Sequence, residues 1–67
     1  MSRQRLGTKI RAGRVRAGLT QQELAAQVGI TRIYVAKLEA GDRDSPSLPV
    51  LERIAKVLGV TLVDLLK

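Results

Sequence analysis

The 67-residue chain has no cysteine, no histidine and one aromatic residue, Tyr34, which excludes imidazole and thiolate catalysis, disulfide staples and the usual zinc or haem ligand sets. Its length allows one small domain, residues 1–67, with a lean core, because folding at this size buries only about 60% of the unfolded surface. Twelve Lys and Arg against six Asp and Glu give a net charge of +6, and the whole excess lies in residues 1–16, which hold Arg3, Arg5, Lys9, Arg11, Arg14 and Arg16 and no acid.

In chain order, the first predicted helix runs roughly from Arg3 to Ala17 and places Leu6 and Ile10 on one side. Gly7 and Gly13 inside it each cost about 1 kcal/mol relative to alanine. Its start, residues 1–5, also has the composition of a basic arm. The second helix, 20–28, opens on Thr20-Gln21-Gln22-Glu23, whose spacing is that of a capping box, and carries an apolar stripe of Leu24, Ala25 and Val28. Gly29-Ile30-Thr31 restarts the chain, with Thr31 capping a third helix over 31–40. There Val35 and Leu38 repeat on one face, while Arg32, Ile33, Ala36 and Lys37 fall on the other.

Asp42 to Pro46 is a turn-rich loop. Ser47 caps a fourth helix in which Leu48, Leu51, Ile54, Ala55 and Leu58 recur with helical period, Pro49 being tolerated near its start. Thr61 caps a short fifth helix carrying Leu62, Leu65 and Leu66, more apolar surface than one turn hides within itself. These three residues are therefore the candidate dimer interface. Gly18, Gly29, Gly41 and Gly59 read as helix stops. No segment alternates in polarity long enough for a strand, and no repeat or low-complexity tract occurs. The fold class is all-α, five helices.

A basic block of this kind suits a polyanion, nucleic acid before an anionic membrane. One aromatic residue cannot build the stacking platform that grips single strands, so duplex DNA is the expected nucleic acid. Membrane-surface binding is disfavoured because residues 1–16 offer only Met1, Leu6, Ile10 and Val15 as apolar anchors. Neither a secretory apolar run nor a membrane-spanning one is present, so a soluble, cytoplasmic protein is expected. Glu39, Asp42 and Asp44 lack a fourth ligand and a general base, and read as a turn rather than a metal site. No metal, cofactor or small-molecule ligand is expected, and the protein is not expected to be an enzyme.

Two short helices around a turn at Gly29 form a helix-turn-helix pattern. A major groove about 12 Å wide admits one helix, provided its inner face stays anchored. Val35 and Leu38 supply the anchor. Arg32 and Lys37 can donate to guanine O6 and N7, and Ile33 and Ala36 can pack on thymine methyls. Gln21, in the first turn of the second helix, sits where helix N–H groups favour a phosphate.

The run Gly18-Leu-Thr-Gln-Gln-Glu-Leu-Ala-Ala-Gln-Val-Gly-Ile-Thr31, with Val35-Ala-Lys-Leu-Glu-Ala-Gly41 and Leu51-Glu-Arg-Ile-Ala-Lys-Val-Leu-Gly-Val60, resembles the Cro/repressor-type (XRE) helix-turn-helix of phage and bacterial transcription regulators, over roughly residues 6–66. The resemblance implies a lambda-repressor-like five-helix bundle that binds a twofold duplex DNA operator as a homodimer. It assigns Gln21, Thr31 and Tyr34 to phosphate contacts and Arg32, Ile33 and Lys37 to base reading, with Ala36 reaching only a methyl. It also pairs Arg14 with Glu39 in a structural salt bridge.

Three departures matter. Gly13 stands where many relatives carry a core leucine, so the first helix is expected to bend or to shift its packing toward Val15. The loop after Gly41 is one residue longer than the common form, and Asp42 and Asp44 would repel phosphates, leaving Arg43 as its backbone contact. The base-reading trio matches no known code. Arg3 and Arg5 are assigned to phosphate contact by an N-terminal arm, with mixed structural roles for Arg11 and Arg16. The expected function is a sequence-specific transcriptional regulator that blocks or recruits polymerase. The alternative is an antitoxin-like protein-interaction module that also binds DNA, disfavoured because no additional binding segment follows the domain before Lys67. With no room for a sensing domain, control through concentration and dimerisation is expected.

Overall fold

The computed structural model describes residues 3–42 and 46–67, excluding the side chains of residues 3 and 4. The roles assigned to the side chains of Arg3, Arg43 and Asp44, and the length of that loop, lie outside the described residues. Among the described residues five helices follow one another: α1 Arg3–Arg16, α2 Gln21–Val28, α3 Arg32–Ala40, α4 Leu48–Leu58 and α5 Leu62–Leu66. No strand occurs among the described residues.

Polar caps set the helix starts. The hydroxyls of Thr20, Thr31, Ser47 and Thr61 accept from the backbone N–H groups of Glu23, Tyr34, Val50 and Asp64, each satisfying a donor that the first helical turn leaves orphaned. At Thr20 and Thr61 the box is complete, since Glu23 and Asp64 accept in return from the cap N–H at 2.9 and 3.1 Å. Those bonds favour the charged carboxylates, and both pKa values fall below their ordinary level, through the backbone N–H of Thr20 and of Thr61 first. At the other ends Gly18, Gly29, Gly41 and Gly59 all adopt positive φ, as helix stops require. The α2–α3 turn shows the consequence: Gly29 has φ 87°, and both Gly29 N and Ile30 N donate to Ala25 O, at 2.8 and 3.0 Å. Ile30 then folds back onto the core.

The core joins Leu6 and Ile10 of α1 to Leu24, Ala25 and Val28 of α2, Val35 and Leu38 of α3, Leu51, Ile54, Ala55 and Leu58 of α4, and Leu65 of α5. The helix-turn-helix is thus held from behind by α1 and α4, with α5 packed on those two. α1 packs most extensively on α3, and α2 on α3 and α4.

The start of α1 is as expected, and the readings of Val15, Leu48 and Leu65 are corrected. Of the expected basic arm, residues 1 and 2 lie outside the described residues, and residues 3–5 form the start of α1. There Arg5 Nη1 lies 3.5 Å from the Lys67 carbonyl oxygen, beside Lys9 Nζ, which donates to Asp64 O at 3.1 Å. Cations at the end of α5 complement its unpaired carbonyls. Packing does not shift to Val15, which is 61% exposed; the space at Gly13 is filled by Leu58, whose Cδ1 would come within 3.0 Å of an added Cβ. Leu48 is exposed at the first position of α4, where the chain has not yet turned onto the core. Leu65 is 2% exposed and belongs to the core, so it has no area to give a partner.

Candidate nucleic-acid interface

The outer face of α3 is built by helical periodicity. Val35 and Leu38 are buried, and this fixes the helix so that Arg32, Ile33 and Lys37 face outward. Ile33 is 60% exposed. Ala36 is only half-buried at the edge of this face, and Tyr34 is half-buried with its ring body against the core. Among the described residues, Arg32 and Lys37 have no ion pair or hydrogen bond. Thr31 is spent on its cap only as an acceptor, from Tyr34 N at 3.0 Å, so its O–H proton remains to donate.

Behind this face sits a charge cluster that ties α1, α2 and α3 together. Arg14 Nε donates to Glu39 Oε2 at 2.6 Å and Nη2 to Glu39 Oε1 at 3.1 Å, a bidentate fork. Its Nη1 reaches Leu19 O at 2.8 Å. One side chain of α1 therefore grips both the approach to α2 and the last turn of α3. The side chains are 13% and 4% exposed, and the hydrogen bond to Glu39 raises the Arg14 pKa above its ordinary value. Gln21 Nε2 adds a third donor to the Glu39 carboxylate, at 3.2 Å.

The structure thus brings Thr31, Arg32, Ile33 and Lys37 to one exposed end of the molecule, with Gln21 joined to α3 through Glu39. It takes Leu65 away from the surface and sets Arg5 beside the end of α5. The bond between Gln21 and Glu39 has no sequence signal, because the two lie 18 residues apart on helices whose crossing no periodicity specifies. The close passage of α1 over α3 at Gly7 is equally silent: glycine in a helix reads as a cost until the neighbouring backbone is in place.

No group of three His, Cys, Asp or Glu side chains able to hold a metal occurs among the described residues. Nor is any helix among them long and apolar enough to cross a membrane.

A family model described as helix-turn-helix matches residues 10–65. The chain is 54% identical over 52 residues to an uncharacterised HTH-type transcriptional regulator of Methanothermobacter thermautotrophicus, covering 78% of this chain and 74% of that one. Its fold is similar to that of the restriction-modification controller protein C.AhdI from Aeromonas hydrophila, with TM-score 0.87, 32% identity and 94% of each chain covered. It is also similar to SinR, a master regulator for biofilm formation solved in complex with DNA, with TM-score 0.88 and 31% identity over 92% of this chain and 98% of that one. With its five helices in the lambda-repressor-like order, the chain belongs to the helix-turn-helix family, among the HTH-type transcriptional regulators of XRE type.

Proposed function

We propose that the protein is a sequence-specific duplex DNA-binding regulator that acts as a homodimer on a twofold operator. The observation that carries this is the outward face of α3. Arg32 and Lys37 are exposed with no protein partner among the described residues, beside an exposed Ile33, on a helix anchored by Val35 and Leu38. Leaving two unpaired cations and a large apolar side chain together in water gains the folded monomer nothing, while a major groove offers guanine acceptors and thymine methyls to the same three groups. Thr31 and Gln21 at the helix starts, with Tyr34, would position α3 on phosphates. The solved complex of SinR with DNA supports the reading by similarity.

For the second subunit, α5 offers Val63 and Leu66, 61% and 39% exposed, with Leu62 half-buried beside them. Pairing through this patch would carry two copies of α3 to half-sites about 10 bp apart centre to centre. The protein would then act by occupying its operator and blocking or recruiting polymerase.

Gel shifts across a salt series test the proposal. If the dimer neutralises about 6–10 phosphates, log affinity falls with log salt at about −0.9 per phosphate. One duplex sequence should outlast the others as salt rises. Equal affinity for all duplexes, or binding indifferent to salt, would remove the specific-regulator reading.

A further inference from the structure

The Glu39 carboxylate carries more donors than its burial requires. Arg14 already engages both oxygens, at 2.6 and 3.1 Å, and pairs the charge. The added bond from Gln21 Nε2 at 3.2 Å is not needed to satisfy a buried acid. What it changes is Gln21, a long side chain at the first position of α2 that would otherwise sample many rotamers. A carboxylate only accepts, so it also decides which end of the amide turns inward: the nitrogen faces Glu39. That nitrogen has a second N–H, and the amide oxygen is free of protein partners among the described residues. Because Arg14 cancels the charge of Glu39, the anchor brings no net repulsion to an approaching phosphate.

We propose that Glu39 is a positioning residue for DNA binding, holding the Gln21 amide in place so that its remaining N–H meets a backbone phosphate already ordered. Arg14 supplies the counter-charge that lets an acid stand at that place. The inference rests on the DNA-binding reading above and deepens it: Glu39 would contribute to affinity without touching DNA.

The test is a double-mutant cycle on the full chain, with a mixed-sequence 20-bp duplex (a length of about two helical turns) as probe and fluorescence anisotropy as readout. Removing Glu39 alone leaves a part-buried arginine without its counter-charge, so the second background is R14M/E39M, in which apolar groups of similar size replace the pair and the fold should be retained. In the wild type, Q21A should weaken binding about three- to tenfold, the loss expected for one ordered contact. In R14M/E39M the same substitution should have almost no effect, because the unanchored amide contributes little. An equal loss in both backgrounds would overturn the proposal and leave Glu39 a purely structural residue. Side-chain amide relaxation of Gln21 in the DNA-free protein gives an independent readout: rigid in the wild type and mobile in R14M/E39M if the proposal holds, alike in both if it does not. Wild-type protein that binds no duplex at low salt would instead sink the DNA-binding reading, while the relaxation result would still judge the anchor.

Discussion

Gly7 of α1 lies against the main chain of Leu38 in α3, so close that an added Cβ would sit within van der Waals overlap of the Leu38 carbonyl oxygen and 2.7 Å from that of Glu39. The last turn of α3 is thereby seated directly on the backbone of α1. Those carbonyls belong to a helix end and cannot swing away, so Gly7→Ala should destabilise the fold by about 1–3 kcal/mol despite alanine's better helix propensity. Gly13→Ala, in the same helix, meets only the side chain of Leu58, with Cδ1 at 3.0 Å and Cβ and Cγ at 3.7 Å, so a small shift of that side chain makes room and the cost should be less than that of Gly7→Ala, within about 1 kcal/mol of neutral. Urea melts of the two variants check the contrast.

The Arg14–Glu39 pair is nearly enclosed, with its side chains 13% and 4% exposed. Arg14→Met or Glu39→Met alone should cost about 3–5 kcal/mol, whereas the double replacement should recover most of that loss. Thermal denaturation of the two single variants and the double variant checks the non-additivity.

Leu65 and Val63 should separate stability from assembly. Leu65→Ala removes a core side chain and should cost about 2–5 kcal/mol at any protein concentration. Val63→Asp changes an exposed position and should leave the monomer folded while shifting it from dimer to monomer. Analytical ultracentrifugation beside thermal melting distinguishes the two effects.

Acid should weaken the fold through its capping boxes. In the folded protein the carboxyls of Glu23 and Asp64 titrate below their ordinary values of 4.5 and 3.8, so the unfolded chain binds protons first as pH falls. Their contribution is complete above those ordinary values and is lost as pH drops through the lower folded ones. Melting temperature should therefore decline below about pH 4.5, and E23Q or D64N should each flatten part of that decline.

On the DNA side, Lys37→Ala should cost about 1–3 kcal/mol of discrimination at one base position. Gln21→Ala, at the proposed phosphate contact, should weaken all duplexes by a similar factor. Competition assays with single-base operator variants read both effects.

Much of this architecture is legible in the residues. Thr20-x-x-Glu23 and Thr61-x-x-Asp64 announce helix starts because the capping chemistry is local, and the glycines at 18, 29, 41 and 59 announce stops for the same reason. The inward face of α3 follows from Val35 and Leu38 three residues apart. What the chain does not announce depends on where separate helices meet. Leu65 and Leu66 are neighbours of the same type, yet only the packing of α5 against α1 and α4 decides that Leu65 is core and Leu66 is not. Gly13 hints at displaced packing, but it takes the position of Leu58 to show that the space is filled from α4 and that Val15 stays in water. Arg5 has the charge of a phosphate contact, and only the packing that brings Lys67 beside α1 gives it another neighbour.

Selection of bound sites from a random duplex library tests the central claim most directly, that the exposed face of α3 reads DNA sequence. The wild type should enrich a twofold site with half-sites about 10 bp apart, and Lys37→Ala should relax preference at one symmetry-related position in each half. A library that emerges unenriched, or a site unchanged by substitutions at Arg32, Ile33 and Lys37, would contradict it.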